Sequence, residues 1–293
     1  MNSIATELSN QPYKIGWYQI GETVDVKVGQ VKTYHFFEQD FVAFRARDGE
    51  LSVIDPYCPH LGAHLGDTGK VVDDRIQCGF HGWQFDTQGK LKHVTYSEKF
   101  PKKACVKRWH HVEKHGNIYI YYDPSGAEPA FELPDHEDKN ASGWYRHSGQ
   151  VRGHLQPYDI FENAADTAHL VFIHGYQHVP KAELEIKPHH FKSRFVGPFD
   201  RAFRTWEVEA TVELIGGGFT STQLSMLFDT VILGNPTPIN KNESVIFVTT
   251  YNDMSRYNRL LRRPIAAFAH RDIVFNIRRD VSIFDKRVTC LLY

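Results

Sequence analysis

The stretch CPHLGAHLGDTGKVVDDRIQCGFHGW, residues 58–83, places two cysteines and two histidines in two short clusters. One residue separates Cys58 from His60, two separate Cys78 from His81, and seventeen lie between the clusters. Thiolates and imidazoles bind tetrahedral zinc, and they also bind a [2Fe–2S] cluster in which the cysteines hold one iron and the histidines the other. The spacing therefore predicts a metal site and leaves both metals open.

The size and charge of the chain exclude several classes of function. A length of 293 residues exceeds what one small core needs, and we expect two domains. A net charge of -1 predicts no nucleic-acid partner, and no apolar run approaches the ~20 residues of a transmembrane segment. The start of the chain does not resemble a secretory signal, so we expect a reducing cytoplasm, in which Cys105 and Cys290 are ordinary buried thiols.

Short strands separated by turns predict a small all-β domain in the first part of the chain. FVAF and LSVID flank a turn at residues 47–50, WQFD and KLKHV flank another at 87–89, and IYIYY follows a third at 115–117. Residues 123–142 carry three prolines and a run of acids, which is typical of a solvated connector. We therefore place the domains at residues 1–128 and 129–293.

The second domain mixes strands with a late helix. Apolar residues alternate with polar ones from Trp206 to Leu214, and further strands are predicted within 223–233 and 244–251. Residues 256–287 instead repeat apolar groups at steps of three and four, as a helix interrupted or begun at Pro264 does. The predicted fold class is α+β, with an all-β domain first and a mixed domain second.

A second motif lies in FENAADTAHLVFIHG, residues 161–175, where Asn163, Asp166, His169 and His174 occur in that order. On a regular helix Asp166 and His169 share a face, but His174 points about 140° away from His169. A chelating pair would need a distorted or ended helix, which the branched and aromatic LVFI favours. The alternative is that neither His169 nor His174 binds a metal and that both have only structural roles. Two imidazoles and a carboxylate are the ligands of mononuclear non-haem iron.

Together the two motifs resemble those of the oxygenase subunits of Rieske non-haem iron oxygenases. The details of DPYCPHLGAHLG, CGFHGWQFD and FENAADTAHLVFIHG are most similar to the group of 3-ketosteroid 9α-hydroxylases and cholesterol 7-desaturases. The resemblance implies an all-β Rieske [2Fe–2S] domain and a helix-grip catalytic domain, in which helices flank an antiparallel sheet. It also implies that Cys58 and Cys78 hold the inner iron of the cluster and that His60 and His81 hold the outer one.

The same resemblance implies the ligands of a second metal, an Fe(II) ion held by His169, His174 and a carboxylate of the last helix. We choose Asp280, in RRDVSIFDKR, over Asp272 and Asp285; an exposed carboxylate paired with arginine is the alternative for each. Asp166, with Asn163 beside it, receives a catalytic role. Its carboxylate would bridge an iron-binding histidine to a cluster histidine of the neighbouring subunit in a head-to-tail homotrimer.

The implied function is that of an oxygenase component that uses O2 to hydroxylate a large, flat, apolar substrate, such as a steroid. Electrons would come from NAD(P)H through a separate reductase, with or without a ferredoxin, because the chain has no Gly-x-Gly-x-x-Gly fingerprint. Candidates for the pocket wall are Phe219, Met226, Phe228 and Phe247. Dihydroxylation, desaturation or demethylation of an aromatic substrate remain alternatives, as does a Rieske electron carrier with a non-catalytic partner-binding domain.

Overall fold

The computed structural model describes residues 13–136, 143–201 and 204–287. The chain divides into two compact units. The N-terminal unit is Gln19–Ala130, and the C-terminal unit combines Phe131–Tyr293 with Met1–Tyr18. Within the described ranges, no helix is both long enough and apolar enough to cross a membrane.

Short strands build the N-terminal unit, as the sequence predicts, although the first three residues of β1 are counted with the C-terminal unit. The strands are β1 (Gly16–Glu22), β2 (Val31–Phe36), β3 (Gln39–Arg45), β4 (Leu51–Ile54), β5 (Lys70–Val72), β6 (Arg75–Gln77), β7 (Trp83–Asp86), β8 (Leu91–Val94), β9 (His111–Lys114) and β10 (Asn117–Tyr122). They form three small sheets with the orders β2-β3-β4, β5-β6-β7-β8 and β1-β10-β9. The antiparallel pairs β3–β4 and β7–β8 confirm two of the predicted hairpins. A one-turn helix, α1, spans Leu65–Thr68.

Two loops with the same backbone hydrogen bonds carry the first motif. In each loop the glycine N–H donates to the cysteine carbonyl, at 2.9 Å from Gly62 to Cys58 and at 3.0 Å from Gly82 to Cys78. Each cysteine N–H donates in turn to the carbonyl five residues later, at 2.9 and 2.8 Å. Gly62 and Gly82 have φ of 74° and 68°, a left-handed conformation that favours glycine. The chain thus forms the same kind of turn at two places, residues 58–63 and residues 78–83.

The two cysteines lie inside the hydrophobic core of this unit. Cys58 and Cys78 are each 2% exposed and share a cluster with the fully buried Leu65, Ile76 and Phe85. Close packing fixes their positions, because core side chains interdigitate with few voids. The two turns are therefore anchored at the cysteine end.

A seven-stranded antiparallel sheet dominates the C-terminal unit. Its strands are β11 (Trp144–Gly153), β12 (Ala182–Lys187), β13 (His190–Arg201), β14 (Arg204–Ile215), β15 (Phe219–Ser225), β16 (Asp229–Pro238) and β17 (Ser244–Asp253). The order across the sheet is β11-β17-β16-β15-β14-β13-β12. In β14 the predicted alternation is confirmed, since Val208, Ala210, Val212 and Leu214 are buried. The stretch 223–233 holds parts of two strands, because the chain reverses between β15 and β16.

Two helices and one π-helical turn complete the C-terminal unit. Helix α2 spans Pro157–Ala165, the π-helical turn spans Leu170–His174, and α3 spans Arg262–Phe284. Helix α3 confirms the predicted late helix, with Pro264 in its first turn, where proline is tolerated. Val281 of α3 packs on Val151 and Val248 of the sheet. The predicted antiparallel sheet flanked by helices is thus confirmed.

The prediction that Cys105 is buried is wrong. Its side chain is exposed, whereas Val106 beside it is 4% exposed and belongs to the core. In extended chain, successive side chains point to opposite sides, so burial of Val106 turns Cys105 outward. Cys290 lies outside the described residues.

The duplicated turn predicts unequal effects of the same substitution at its two glycines. A Cβ at Gly82 would lie 2.4 Å from Oγ1 of Thr95, whereas a Cβ at Gly62 would meet no atom within 4 Å. Both alanines are strained by about 1–2 kcal/mol in the left-handed region, and only Gly82→Ala adds an overpacking cost of about 1–3 kcal/mol. Urea unfolding should therefore show the larger loss of stability for Gly82→Ala, and equal losses would contradict this account.

Candidate functional site

The histidines of the first motif lie side by side at the rim of the N-terminal unit. The ring centroids of His60 and His81 are 4.7 Å apart, with an interplanar angle of 73°. The ring of His60 also stacks on the largely buried Trp83, at 4.5 Å and 8°. Phe80 lies against His81, with ring centroids 3.8 Å apart. The motif therefore presents two thiols from inside the core and two imidazoles from its edge.

The buried polar atoms of this motif fit a bound metal cluster. Burial, together with the nearby Cys78, raises the pKa of the Cys58 thiol to about 11, while the backbone N–H of His60 opposes the rise. Within the described ranges, Nδ1 of His60 is buried and has no hydrogen-bond partner. Iron binds the thiolate and accepts an imidazole lone pair, so it would satisfy both groups.

The four donors do not converge on a single point, which disfavours the zinc alternative. Zinc holds its ligands at about 2.0–2.3 Å, so the ligand atoms around one ion crowd together. Only one group of three or more metal-ligating side chains has its ligand atoms within 4.8 Å of one another in the described parts of the chain, and these four residues are not in it. A two-iron cluster, with thiols on one iron and imidazoles on the other, suits the wider spacing.

That convergent group is His169, His174 and Asp280. The imidazole Nε2 of His174 is 3.2 Å from Oδ1 of Asp280, and the two histidine ring centroids are 5.2 Å apart. The π-helical turn explains how residues five apart meet, because its hydrogen bonds join residues i and i+5. The predicted helix distortion at LVFI is confirmed. Gly175 ends the turn with φ of 90°.

A backbone contact orients His169. Its Nδ1 lies 2.5 Å from the carbonyl oxygen of Asp166, and since a carbonyl can only accept, Nδ1 carries the proton. The lone pair is then on Nε2, which is the tautomer that a metal ligand needs. The expectation that Asp166 and His169 share a helix face is wrong, because α2 ends at Ala165 and Asp166 has extended backbone. A loop brings them together instead, with 3.8 Å between carboxylate and ring.

The three donors are one carboxylate and two imidazoles, and burial favours the neutral form of His169. Burial lowers the pKa of His169, and His174 lowers it further, while Asp280 acts in the opposite direction. Oδ1 of Asp280 is buried and makes no hydrogen bond to any described residue, although His174 approaches it. A buried carboxylate without a donor is costly, and a cation removes that cost. The donor set and its electrostatics fit a divalent metal ion.

The three donors lie on the wall of a large cavity of about 490 Å³. Most of the wall is apolar, and it is formed by the inner face of the sheet, α2, the π-helical turn and α3. Among the predicted site residues, the wall includes Asn163, Asp166, His169, His174 and Asp280. Asp272 also lines the cavity but lies outside the convergent group, two turns or ~12 Å before Asp280 on α3.

Two of the four aromatic and methionine candidates for the cavity wall are placed correctly. Met226 and Phe228 line the cavity, whereas Phe219 and Phe247 do not. Strand parity explains the errors: Thr220 and Ile246 face the cavity, so their neighbours Phe219 and Phe247 point to the other side of the sheet. Val208, Ala210 and Val212 of β14 also line the cavity. Their alternation is visible in the sequence, but it does not show that they face a cavity.

Comparison with protein families gives two matches along the chain. Residues 16–110 match the Rieske [2Fe-2S] domain. Residues 120–291 match the 3-ketosteroid 9alpha-hydroxylase C-terminal domain. The first match contains the duplicated turn, and the second contains the convergent donors and the cavity wall.

Individual proteins give the same picture. Cholesterol 7-desaturase nvd 1 of Ciona intestinalis is 34% identical over 195 residues, which cover 63% of this chain and 41% of that protein. The oxygenase component of a 3-ketosteroid-9-alpha-monooxygenase of Rhodococcus rhodochrous is 32% identical over 168 residues, 55% of this chain and 41% of that protein. The chain spans less than half the length of these relatives.

Solved structures share the fold. The crystal structure of dicamba monooxygenase bound to dicamba superposes with a TM-score of 0.74 at 15% identity, over 94% of this chain and 92% of that one. The two-domain architecture is therefore that of known Rieske oxygenase structures. Since the match to the second domain alone covers more than half of the sequence, the chain belongs to the 3-ketosteroid 9α-hydroxylase family of Rieske non-haem iron oxygenases.

Proposed function

We propose that this chain is an oxygenase component that hydroxylates a large apolar, steroid-like substrate with O2. The observation that carries the proposal is the convergence of His169, His174 and Asp280 on the wall of an apolar cavity of about 490 Å³. Two imidazoles and a carboxylate leave coordination positions open, which is typical of non-haem iron sites that use oxygen. A cavity of this size lies in the range of small-molecule sites.

Each metal site has its own set of proposed ligands. Cys58, Cys78, His60 and His81 would hold the [2Fe–2S] cluster, and His169, His174 and Asp280 would hold Fe(II). When bound, the mononuclear iron supplies the binding and activation of O2. The chain's own contribution is to hold His169 in the right tautomer through the Asp166 carbonyl and to exclude water with the apolar wall.

The names of the relatives and the character of the wall support the substrate class. A 3-ketosteroid and cholesterol share a flat, fused-ring, apolar body, and those are the substrates in the relatives' names. The cavity wall offers aliphatic and aromatic surface from the sheet and α3. Hydroxylation is the reaction we favour; desaturation, which the name of the Ciona relative specifies, would use the same residues.

A separate electron donor and a head-to-tail homotrimer complete the proposal. The donor would be an NAD(P)H-dependent reductase, acting directly or through a ferredoxin. Near the cluster histidines, Leu61 and Phe80 are 65% and 60% exposed, a surface suited to docking of another polypeptide. The side chain of Asp166 is 53% exposed, so a neighbouring subunit could reach it. Among the described residues, Cys105 forms no disulfide, which suits the expected cytoplasm.

The rival function, a Rieske electron carrier whose second domain only binds a partner, leaves the convergent donors unexplained. Such a carrier needs neither a buried carboxylate facing two imidazoles nor a large apolar cavity beside it. Both features carry a free-energy cost, because buried charge and unfilled apolar space destabilise a fold. Their coincidence in one place favours catalysis at this site.

Metal analysis of the purified protein tests the proposed function directly. We expect three irons and two inorganic sulfides per chain, because a [2Fe–2S] cluster contributes two irons and the mononuclear site contributes one. Two irons with two sulfides would instead identify an electron carrier. One zinc without sulfide would overturn both functions.

Replacing Asp280 by alanine should empty the mononuclear site and preserve the visible Rieske spectrum, because the two sites share no ligand. Outer-shell partners of a metal are worth about 10–100-fold in affinity, so a lost ligand should cost at least ~100-fold. Iron titration of the purified variant measures this loss. Asp272→Ala is the matched control on the same helix and should keep its third iron. Loss of that iron in the control alone would move the ligand assignment by two turns of α3.

Replacing Asp166 by asparagine tests its proposed role between the two metal sites. Asparagine has a similar shape but no charge, so the electrostatic attraction between this side chain and the flanking imidazoles should weaken while the fold and both metals remain. We expect product formation to fall by about 10–100-fold and the reduced cluster to reoxidise slowly when substrate and O2 are added.

Glu162→Gln makes the same chemical change on an exposed residue of α2, four residues before Asp166, and serves as the control. This control variant should leave the rate of product formation and the rate of cluster reoxidation unchanged. Reoxidation of the Asp166→Asn variant at the wild-type rate would remove Asp166 from the proposed pathway and would weaken the argument for a ring of subunits.

A further inference from the structure

A positively charged segment borders the cavity. Residues 254–271, MSRYNRLLRRPIAAFAHR, contain five arginines and no aspartate or glutamate. The chain as a whole is balanced, with 34 basic and 35 acidic residues, so this segment, here called the arginine segment, is a local excess of positive charge. Such an excess attracts anionic partners.

The arginine segment also exposes large apolar side chains. Leu260 is 86% exposed, and it is the most exposed large apolar side chain in the described ranges. Leu261 and Phe268 are 54% and 69% exposed. Exposed apolar side chains that stand among cations are typical of surfaces that enter the interfacial region of a bilayer.

Hydrogen bonds hold the loop of this segment in one shape. Nε of Arg262 donates to the carbonyl of Tyr257, and its Nη2 donates to the carbonyl of Ser255, both at 2.9 Å. The amide of Leu260 donates to Oδ1 of Asn258 at 3.0 Å. One arginine thus organises the loop.

Three other arginines of the segment, Arg256, Arg259 and Arg263, remain exposed to solvent around the leucines. The loop is therefore built to present charge and apolar surface together.

The same segment reaches the cavity described above. Tyr257, Ile265 and Phe268 are part of its apolar wall. On another side of the segment, Arg263 and Arg146 line a more open depression of about 520 Å³. A guanidinium group is suited to phosphate, which it binds through parallel hydrogen bonds.

We propose that the arginine segment docks this protein onto the surface of an anionic phospholipid bilayer, with Leu260 and Leu261 inserted and the exposed arginines on lipid phosphates. The occupant is a membrane rather than a second copy, because a symmetric contact would bring like-charged segments together. The use of this surface to load an apolar substrate rests on the proposed function. Membrane binding itself does not.

Vesicle cosedimentation of the purified holoprotein tests the proposal. The holoprotein should bind vesicles of phosphatidylcholine mixed with phosphatidylserine and should bind vesicles of phosphatidylcholine alone far more weakly. It should dissociate from the anionic vesicles as the salt concentration is raised. Replacing Arg256, Arg259 and Arg263 by glutamine should weaken binding by ~100-fold, given the contribution of each basic residue near an anionic surface. Absence of binding to anionic vesicles would overturn the proposal.

A matched control separates this surface from general charge. Lys99, Lys102 and Lys103 are exposed and lie in the N-terminal unit, so their triple replacement by glutamine removes the same charge elsewhere. That variant should bind anionic vesicles as the unmodified protein does. An equal loss in both triple variants would mean attraction by net charge alone and would contradict the proposed surface.

The leucines provide a second, independent measurement. Replacing Leu260 and Leu261 by serine removes two exposed side chains, so the fold should persist, and it should weaken vesicle binding while the molar mass by light scattering stays unchanged. A change of mass with unchanged vesicle binding would identify a contact between copies and overturn the proposal. Iron content of every variant reports separately on the proposed function.

Discussion

The carboxylate of Asp280, buried against two imidazoles, is the interaction on which the C-terminal unit depends. It is 9% exposed, and its Oδ1 makes no hydrogen bond to a described residue. Packing of the neighbouring Val281 on the sheet holds it in place despite the cost of burying a charge. The unit therefore stores an electrostatic imbalance that a divalent cation corrects, and metal binding and stability are coupled in it.

In the N-terminal unit the metal-ligating side chains do not converge, because two of them lie in the core and two lie at its rim. Cys58 and Cys78 are fixed by the hydrophobic cluster, while His60 is held by stacking on Trp83. A centre built in this way has one end shielded by apolar packing and the other end near solvent. The histidine end is therefore the end at which electrons would be exchanged with a partner protein, while the cysteine end stays enclosed in the core.

Much of the fold could be predicted from the sequence because period and turn chemistry are local signals. The hairpins, the alternation on β14 and the late helix all followed from them. The side of the sheet that faces the cavity could not be predicted in this way. Alternation along a strand places Phe219 and Ser221 on one face and Thr220 and Thr222 on the other, but only the tertiary structure shows which face lines the cavity. The prediction that Cys105 is buried failed for the same reason. The regular-helix account of Asp166 failed because helix ends are set by capping and tertiary contacts rather than by spacing.

The π-helical turn at Leu170–His174 has the geometry of an α-helical turn that contains one extra residue. In a regular α-helix, histidines four apart share a face; here they are five apart, and the extra residue is absorbed by the wider turn. Phe172 projects outward in this turn and is 82% exposed, so the surplus is carried on the surface. Loss of one residue from the turn would convert it toward ordinary helix and still leave the imidazoles as neighbours. The wider turn thus does for histidines five residues apart what an ordinary α-helix does for histidines four residues apart.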